Sequence, residues 1–307
     1  MSDSPSGQPA DANSLRYWIF DRFLPQNLRA RSDKTRRQYL YAINDFAEML
    51  GREPTLDDLS DEQLARLVRH VMIVNGVREI TANEKIGRIK TFWNWAARKN
   101  LLTGVREFPT IQRLPVPERV PRAWREDELV KIFNASRSAR GDVSGIPAWR
   151  WWTCLHAWLW CSGERIGATL AMRPEHLRLD ERVAIIPAEI RKGRRKPMVY
   201  RLWDDVVLML AEILPPKLPP RERVFPWPFD PTSFYNHYHR LLDRARVPWS
   251  KGVGPHRMRV SHASWRYISG DDATRALGHS DPATTRKSYI DPSLAKDDEG
   301  PKLFRPW

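Results

Sequence analysis

Apolar residues recur at helical intervals through the first hundred positions and change rhythm after them. Tyr39, Ile43, Phe46 and Leu50 fall at i, i+4, i+7 and i+11, one stripe of a helix that Gly51 and Pro54 end. Ser60 with Gln63 forms a capping box ahead of Leu64, Leu67, Val68 and Val71. Thr81 with Glu84 predicts a second box, opening a helix that carries Ile86, Ile89, Phe92, Trp93 and Ala96 and frays near Asn100. From Ser14 to about Gly104 the pattern is helical throughout.

The stretch VREFPTIQRLPVPERVP then breaks the period. Pro109, Pro115, Pro117 and Pro121 make it an extended, stiff linker. A second unit starts at Trp124, with helix signals over 126–135 and a buried helix over the Trp- and Leu-dense run 147–161. Arg182–Ile186 and Met198–Leu202 read as short strands flanking a basic tip, RKGRRK, the pattern of a hairpin. Helices are predicted at about 204–214, 232–246 and 256–266. The predicted fold class is therefore mainly α with a small β-sheet. It comprises a flexible tail (1–14), a helical domain (15–104), a linker (105–121) and a mixed α+β domain (122–307).

Composition sharpens this picture. In 307 residues, 51 Lys and Arg outweigh 37 Asp and Glu, a net charge of +14 and a pI near 10.1. Such an excess predicts a polyanionic partner, and nucleic acid fits better than a membrane because no amphipathic or apolar anchor accompanies it. Lys34, Arg36, Arg37, Lys85, Arg88 and Lys90 lie off the apolar stripes of the first domain. They read either as a solvated face or as a surface that faces DNA. Cys154 and Cys161 are too few and wrongly spaced for a zinc site or a disulfide framework, which suits a reduced, cytoplasmic protein. The polar first residues lack the charged and apolar regions of a signal peptide, and no apolar run is long enough to span a bilayer.

Candidate chemistry lies in the second unit. CSGERIG centres on Arg165, GPHRMRVSHAS carries His256 and Arg259, and LGHSDPATTRKSY places His279 ten positions before Tyr289. Guanidinium forks pair bidentately with phosphate oxygens, imidazoles exchange protons near neutrality, and a phenol can act as a covalent nucleophile. A spacing of three puts His256 and Arg259 on one helical face. Each pattern has a plainer reading: a lone arginine after glycine is usually a surface residue, and His-x-x-Arg is common in a chain with eight histidines. His262, His237 and His239 read as packing or surface residues, the last two lacking the cysteine or carboxylate company of a metal site.

In order and spacing, these boxes resemble the tyrosine recombinase (phage integrase) family, and the likeness covers nearly the whole chain after the tail. The plan is similar to the simpler, Xer-like members. The resemblance implies a two-domain clamp on duplex DNA, with a helical core-binding domain and a catalytic domain. It also implies a metal-free, ATP-free mechanism with no cofactor. Tyr289 would attack a phosphodiester to give a 3′-phosphotyrosyl ester. Lys192, at the tip of the basic hairpin, would protonate the 5′-oxygen, with Lys196 a rival for the position. Arg165 and Arg259 would stabilise the non-bridging oxygens, His256 would exchange protons, and His279 would donate a hydrogen bond to the phosphate. Arg194 and Arg195 would grip DNA beside Lys192. The expected partners are double-stranded DNA with inverted-repeat core sites and further copies of the chain, four in a synapse, acting in integration of a mobile element.

Two departures stand out. Ala168 occupies the place, three after Arg165, where the family commonly has an acid, unless Glu164 substitutes. Many relatives have the tyrosine nine after the histidine. Since one helical residue turns a side chain by roughly 100°, the ten-residue spacing predicts a bulge or local unwinding to re-aim Tyr289. Other classes share these residues: a nuclease or type IB topoisomerase acting on one duplex, and an architectural DNA-binding protein with a dead site.

Overall fold

The computed structural model describes residues 13–27, 33–102, 108–191, 196–214, 222–250 and 252–294. The predicted tail thus lies almost wholly outside the described residues. The chain divides into two compact units, Met1–Glu118 and Arg119–Trp307.

The first unit is helical. α1 (Leu15–Tyr17) passes through a π-helical stretch (Trp18–Phe23) into α2 (Leu24–Gln26), followed by α3 (Asp33–Leu50), α4 (Asp61–Ile73) and α5 (Glu79–Arg98). Ser14 caps α1 by accepting from the Tyr17 amide, and Ser60 caps α4 by accepting from Gln63. Gly51 ends α3 in the left-handed conformation, φ 69°. The predicted stripes converge: Tyr39, Ile43, Phe46, Leu64, Leu67, Val71, Ile86, Ile89, Phe92 and Trp93 are all buried in one core. Phe23 stands at its centre, edge-on to Tyr39, Phe92 and Trp95 at 5.4–5.8 Å. The box predicted at Thr81 is not the start of α5. Arg78 is the N-cap, and its carbonyl takes the Thr81 and Ala82 amides. Glu79 places a carboxylate in the first turn, where the helix dipole favours it.

Among its described residues, 108–121, the proline-rich stretch has neither helix nor strand, and residues 110–114 are strapped to this unit. Asp61 accepts from the Thr110 and Ile111 amides at 3.0 and 3.1 Å. Asn83 exchanges a pair of 2.9 Å bonds with the Leu114 backbone. A side-chain amide and a carboxylate thereby satisfy backbone groups that no sheet or helix would.

The second unit is built round α7 (Ala148–Ser162). It follows α6 (Glu126–Arg137) and a two-residue hairpin, β1 (Asp142–Val143) with β2 (Ile146–Pro147), that the periodicity does not reveal. Twelve residues of α7 are buried, so it is apolar on every side and other elements wrap it. After α8 (Ile166–Leu170) come β3 (Leu177–Arg178), β4 (Val183–Ile186) and β5 (Met198–Arg201), an antiparallel sheet in that order. Ala184 pairs with Tyr200 and Ile186 with Met198, so the two predicted strands form the predicted hairpin. The helices α9 (Asp204–Ile213), α10 (Pro231–Arg244), α11 (His256–Ile268), α12 (Ala273–Leu277) and α13 (Pro282–Tyr289) complete the unit.

Candidate active site

Gly163 sets the geometry. It caps α7 with φ 61°, and its carbonyl accepts from Arg259 Nη1 at 2.6 Å. A Cβ at this position would lie 2.5 Å from the His262 ring, so only glycine fits on both backbone and steric grounds. His262 is buried, and its Nδ1 meets the Trp160 carbonyl at 2.6 Å. Since a carbonyl can only accept, Nδ1 carries the proton. The residue packs the end of α7, as the sequence reading has it.

Arg259 is 1% exposed on α11. Besides Gly163, it donates through Nη2 to the Leu277 carbonyl and to His279 Nε2, each at 3.1 Å, and its guanidinium lies 5.2 Å from the Tyr289 ring centre. Burial first, then the nearby Arg165, lowers its pKa from the ordinary arginine value. Arg165 is the half-buried N-cap of α8, and among the described residues no carboxylate pairs with its guanidinium. Two arginines within electrostatic reach of each other create a site that favours an anion.

His279 has a defined tautomer. A guanidinium only donates, so Nε2 accepts from Arg259 and the proton sits on Nδ1, which meets Thr285 Oγ1 at 3.0 Å. Burial, then the charges of Arg259, Arg165 and Arg191, pushes the imidazole down to about 4. In this state His279 orients Arg259 and has no Nε2 proton to give. The phosphate-donor role implied by the resemblance therefore needs a proton on Nε2 and the release of the Arg259 bond.

Tyr289 ends α13 at 8% exposure. Its ring centre is 4.8 Å from the His279 ring and 5.4 Å from that of the exposed His256. Neither bulge nor unwinding brings it there. His279 is not on the helix of Tyr289; Ser280 and the extended Asp281 intervene, and α13 runs regularly from Pro282. The ten-residue spacing is divided between loop and helix, so the rotation argument for a continuous helix does not apply.

Beneath the arginines lies Glu164, whose side chain is wholly out of solvent. Its Oε2 accepts from Arg191 Nε at 2.7 Å and from the Tyr200 hydroxyl at 2.9 Å, and its Oε1 from the Arg165 amide at 2.7 Å. Arg259 Nη1 stands 3.8 Å away. Ala168 is buried and offers no acid; the neighbouring Glu164 binds the Arg165 amide and not its guanidinium. Arg191 continues the network, donating to the Lys196 carbonyl at 3.2 Å and backing Gly278. The sequence gives no reason to single out Arg191 among six cationic or glycine positions, nor Thr285 within its Thr-Thr pair.

Lys192, Arg194 and Arg195 lie outside the described residues. Lys196 is exposed and contributes its carbonyl to Arg191. In the first unit, Lys34, Arg36 and Arg37 are exposed on α3. Their predicted companions are occupied: Lys85 pairs with Asp45, Arg88 donates to Gln38 at 2.6 Å, and Lys90 donates to the Ile111 carbonyl. His239 stacks on Trp249 with centres 4.0 Å apart, and His237 on Phe229. Among the described residues, no group of three His, Cys, Asp or Glu side chains could hold a metal, and no helix is long and apolar enough to cross a membrane.

No protein-family model and no curated protein matches the sequence. Solved structures do match. A lambda integrase dimer bound to a COC′ core site aligns over 95% of this chain and 98% of its own, at TM-score 0.66 and 15% identity. A Tn1549 transposon integrase in complex with a circular intermediate DNA aligns over 90% and 95%, at TM-score 0.68 and 11% identity. A lambda integrase tetramer bound to a Holliday junction covers 96% of this chain and 81% of its own, at TM-score 0.65 and 17% identity. With coverage this complete, the chain has the fold of the lambda and Tn1549 integrases.

Proposed function

We propose that this chain is a site-specific DNA recombinase that cleaves and rejoins duplex DNA through a phosphotyrosyl intermediate at Tyr289. The observation that carries the reading is the gathering of Arg259, His256 and His279 round one tyrosine, with Arg165 close enough to perturb both Arg259 and His279.

In this reading, Tyr289 Oη attacks the phosphorus as the P–O5′ bond breaks, leaving the DNA 3′-phosphate esterified to the phenol. His256, exposed beside the ring, takes the phenolic proton, and Lys192 delivers one to the departing 5′-oxygen. Arg165 and Arg259 hold the non-bridging oxygens as charge builds on them. The burial and carbonyl anchoring of Arg259 fix its donors beforehand, so they need not reorganise during the reaction. The ester conserves the energy of the broken bond, and a 5′-hydroxyl from a partner strand reverses the step on a new duplex. Exchange between duplexes requires several copies, and a tetramer on inverted-repeat sites is the proposed assembly.

Two features spoke for a non-cleaving architectural protein, Ala168 and the displaced tyrosine. The loop before α13 absorbs the additional residue, whereas the buried Glu164 accepts from the Arg165 amide and pairs with Arg191, not with the Arg165 guanidinium. The objection from the tyrosine spacing therefore loses weight.

The test is a pool of nicked suicide duplexes of randomised sequence, incubated with wild type and with Tyr289→Phe. A covalent adduct in wild type, absent from the variant at unchanged DNA affinity, supports the reading. An adduct mapping to Tyr267, or none at all, would sink it.

A further inference from the structure

Behind the nucleophile lies a set of contacts that the proposed chemistry does not use. The chain from Arg122 to Trp124 is bonded to α11 and to the residue two after Tyr289 at successive backbone groups. Arg257 donates to the Arg122 and Ala123 carbonyls at 3.1 and 3.2 Å. The Ala123 amide donates to Asp291 Oδ2 at 2.7 Å, and the Trp124 amide to Ser261 Oγ at 2.7 Å. Trp265 Nε1 donates to the Trp124 carbonyl at 3.0 Å. The Arg257 guanidinium lies 3.5 Å from the centre of the Trp124 ring. This segment is the start of the second unit, just past the division at Glu118.

Asp291 connects it to the tyrosine. Its carboxylate is 4% exposed; besides Ala123 it accepts from the Ser293 amide and hydroxyl at 2.9 and 2.7 Å. Its own amide donates to Ser264 Oγ at 2.8 Å, and that hydroxyl donates to the Tyr289 carbonyl at 3.0 Å. Tyr289 and Ile290 pack against Ala123, Val260, Ala263, Ala273 and Leu277 in a small cluster distinct from the main core. The backbone on the C-terminal side of the nucleophile is therefore fastened at two points to elements that carry Arg259 or precede it.

We propose that Asp291 is a positioning residue for strand cleavage: by joining the Arg122–Trp124 segment to the end of α13, it fixes where Tyr289 Oη stands relative to Arg259 and His279. The inference rests on the proposed recombinase reading for its chemical consequence, though not for its geometry. α13 has only eight residues and ends at Tyr289, so these bonds act directly on the residues that follow the nucleophile. Removing the carboxylate leaves the buried Ala123 N–H unsatisfied, and a misplacement near 1 Å at the reacting atom can cost on the order of 10²-fold in rate.

The experiment compares wild type, Asp291→Ala and Asp291→Asn on the nicked substrate, and records the fluorine spectrum of protein labelled with 3-fluorotyrosine. Tyr289→Phe assigns the Tyr289 resonance. Asp291→Ala is expected to slow single-turnover cleavage by roughly 10–100-fold with DNA affinity unchanged, and to shift or split the Tyr289 resonance. Asp291→Asn keeps an oxygen for the Ala123 amide but turns its NH2 toward the Ser293 amide, so it should recover part of the rate and shift the resonance less than Asp291→Ala. It also serves if the alanine variant fails to fold. An unmoved Tyr289 resonance, or cleavage by Asp291→Ala at wild-type rate, overturns the assignment. A moved resonance in a protein whose wild type forms no adduct overturns the recombinase reading and leaves the latch standing.

Discussion

Arg259 and Gly163 meet at 2.6 Å, guanidinium to carbonyl, across 96 residues of chain. The bond ties the face of α11 that bears His256 to the end of α7, and it sets the orientation in which Arg259 faces Tyr289. A carbonyl at a left-handed glycine cap thus serves as the anchor of a buried arginine.

Replacing Arg259 by Lys should separate from replacing Arg165 by Lys. An ammonium cannot reach Gly163, Leu277 and His279 together, so Arg259→Lys leaves buried carbonyls unpaired at about 1–3 kcal/mol each and slows cleavage by ~10²–10³-fold. Arg165→Lys should show the loss of rate with little loss of stability, since its side chain is only half buried. Urea unfolding alongside single-turnover cleavage checks both. Equal stability losses in the two variants would contradict the assignment.

Gly163→Ala should be among the most damaging single-methyl changes in the chain. The left-handed backbone costs about 1–2 kcal/mol for a residue with a Cβ, and the new atom meets His262 at 2.5 Å. Lower unfolding free energy should come with slower cleavage, because the acceptor of Arg259 moves. A variant as stable and active as wild type would show that α7 can end otherwise.

DNA binding should weaken with salt, and α3 should carry part of the slope. Each phosphate contact contributes roughly −0.9 to the slope of log K against log salt. Replacing Lys34, Arg36 and Arg37 with Ala should flatten it by up to about three contacts' worth. Lys85→Ala should leave the slope alone and lower stability instead, because Lys85 already neutralises Asp45. A salt titration of affinity for each variant decides.

Stability should fall as the pH drops below neutrality. Burial depresses His156 to about 3 and His262 to about 4, and burial with neighbouring cations depresses His279 to about 4. Unfolded, each takes a proton near 6.5, so the unfolded state binds more protons between about 6.5 and 3–4 and is favoured there. The contribution is fully present above 6.5 and is lost as pH falls through the folded values. Urea midpoints at pH 7 and pH 5 test it; equal midpoints would contradict the burial of these rings.

The sequence by itself determined the local order of this protein. Periodicity placed the stripes of α3, α4 and α5 and the strand pair round the basic tip, because each reflects one element's need to bury one face, and the Trp- and Leu-dense run marked α7 as a buried helix. Of the boxes, only the three-residue spacing of His256 and Arg259 is fixed by helix geometry; those round Arg165, His279 and Tyr289 were legible as a resemblance to a known family. Tertiary structure decided the partners. Whether Lys85 faces solvent depends on Asp45 forty positions away, and whether Arg165 has an acid beside it depends on how Glu164 turns between α7 and α8. Arg191 joins the network because β4 and β5 pair in one register, and Asp291 reaches Ala123 across 168 residues. No local rule encodes such contacts. They follow from closing the chain on itself, where every buried charge and backbone group must find a partner or leave the interior.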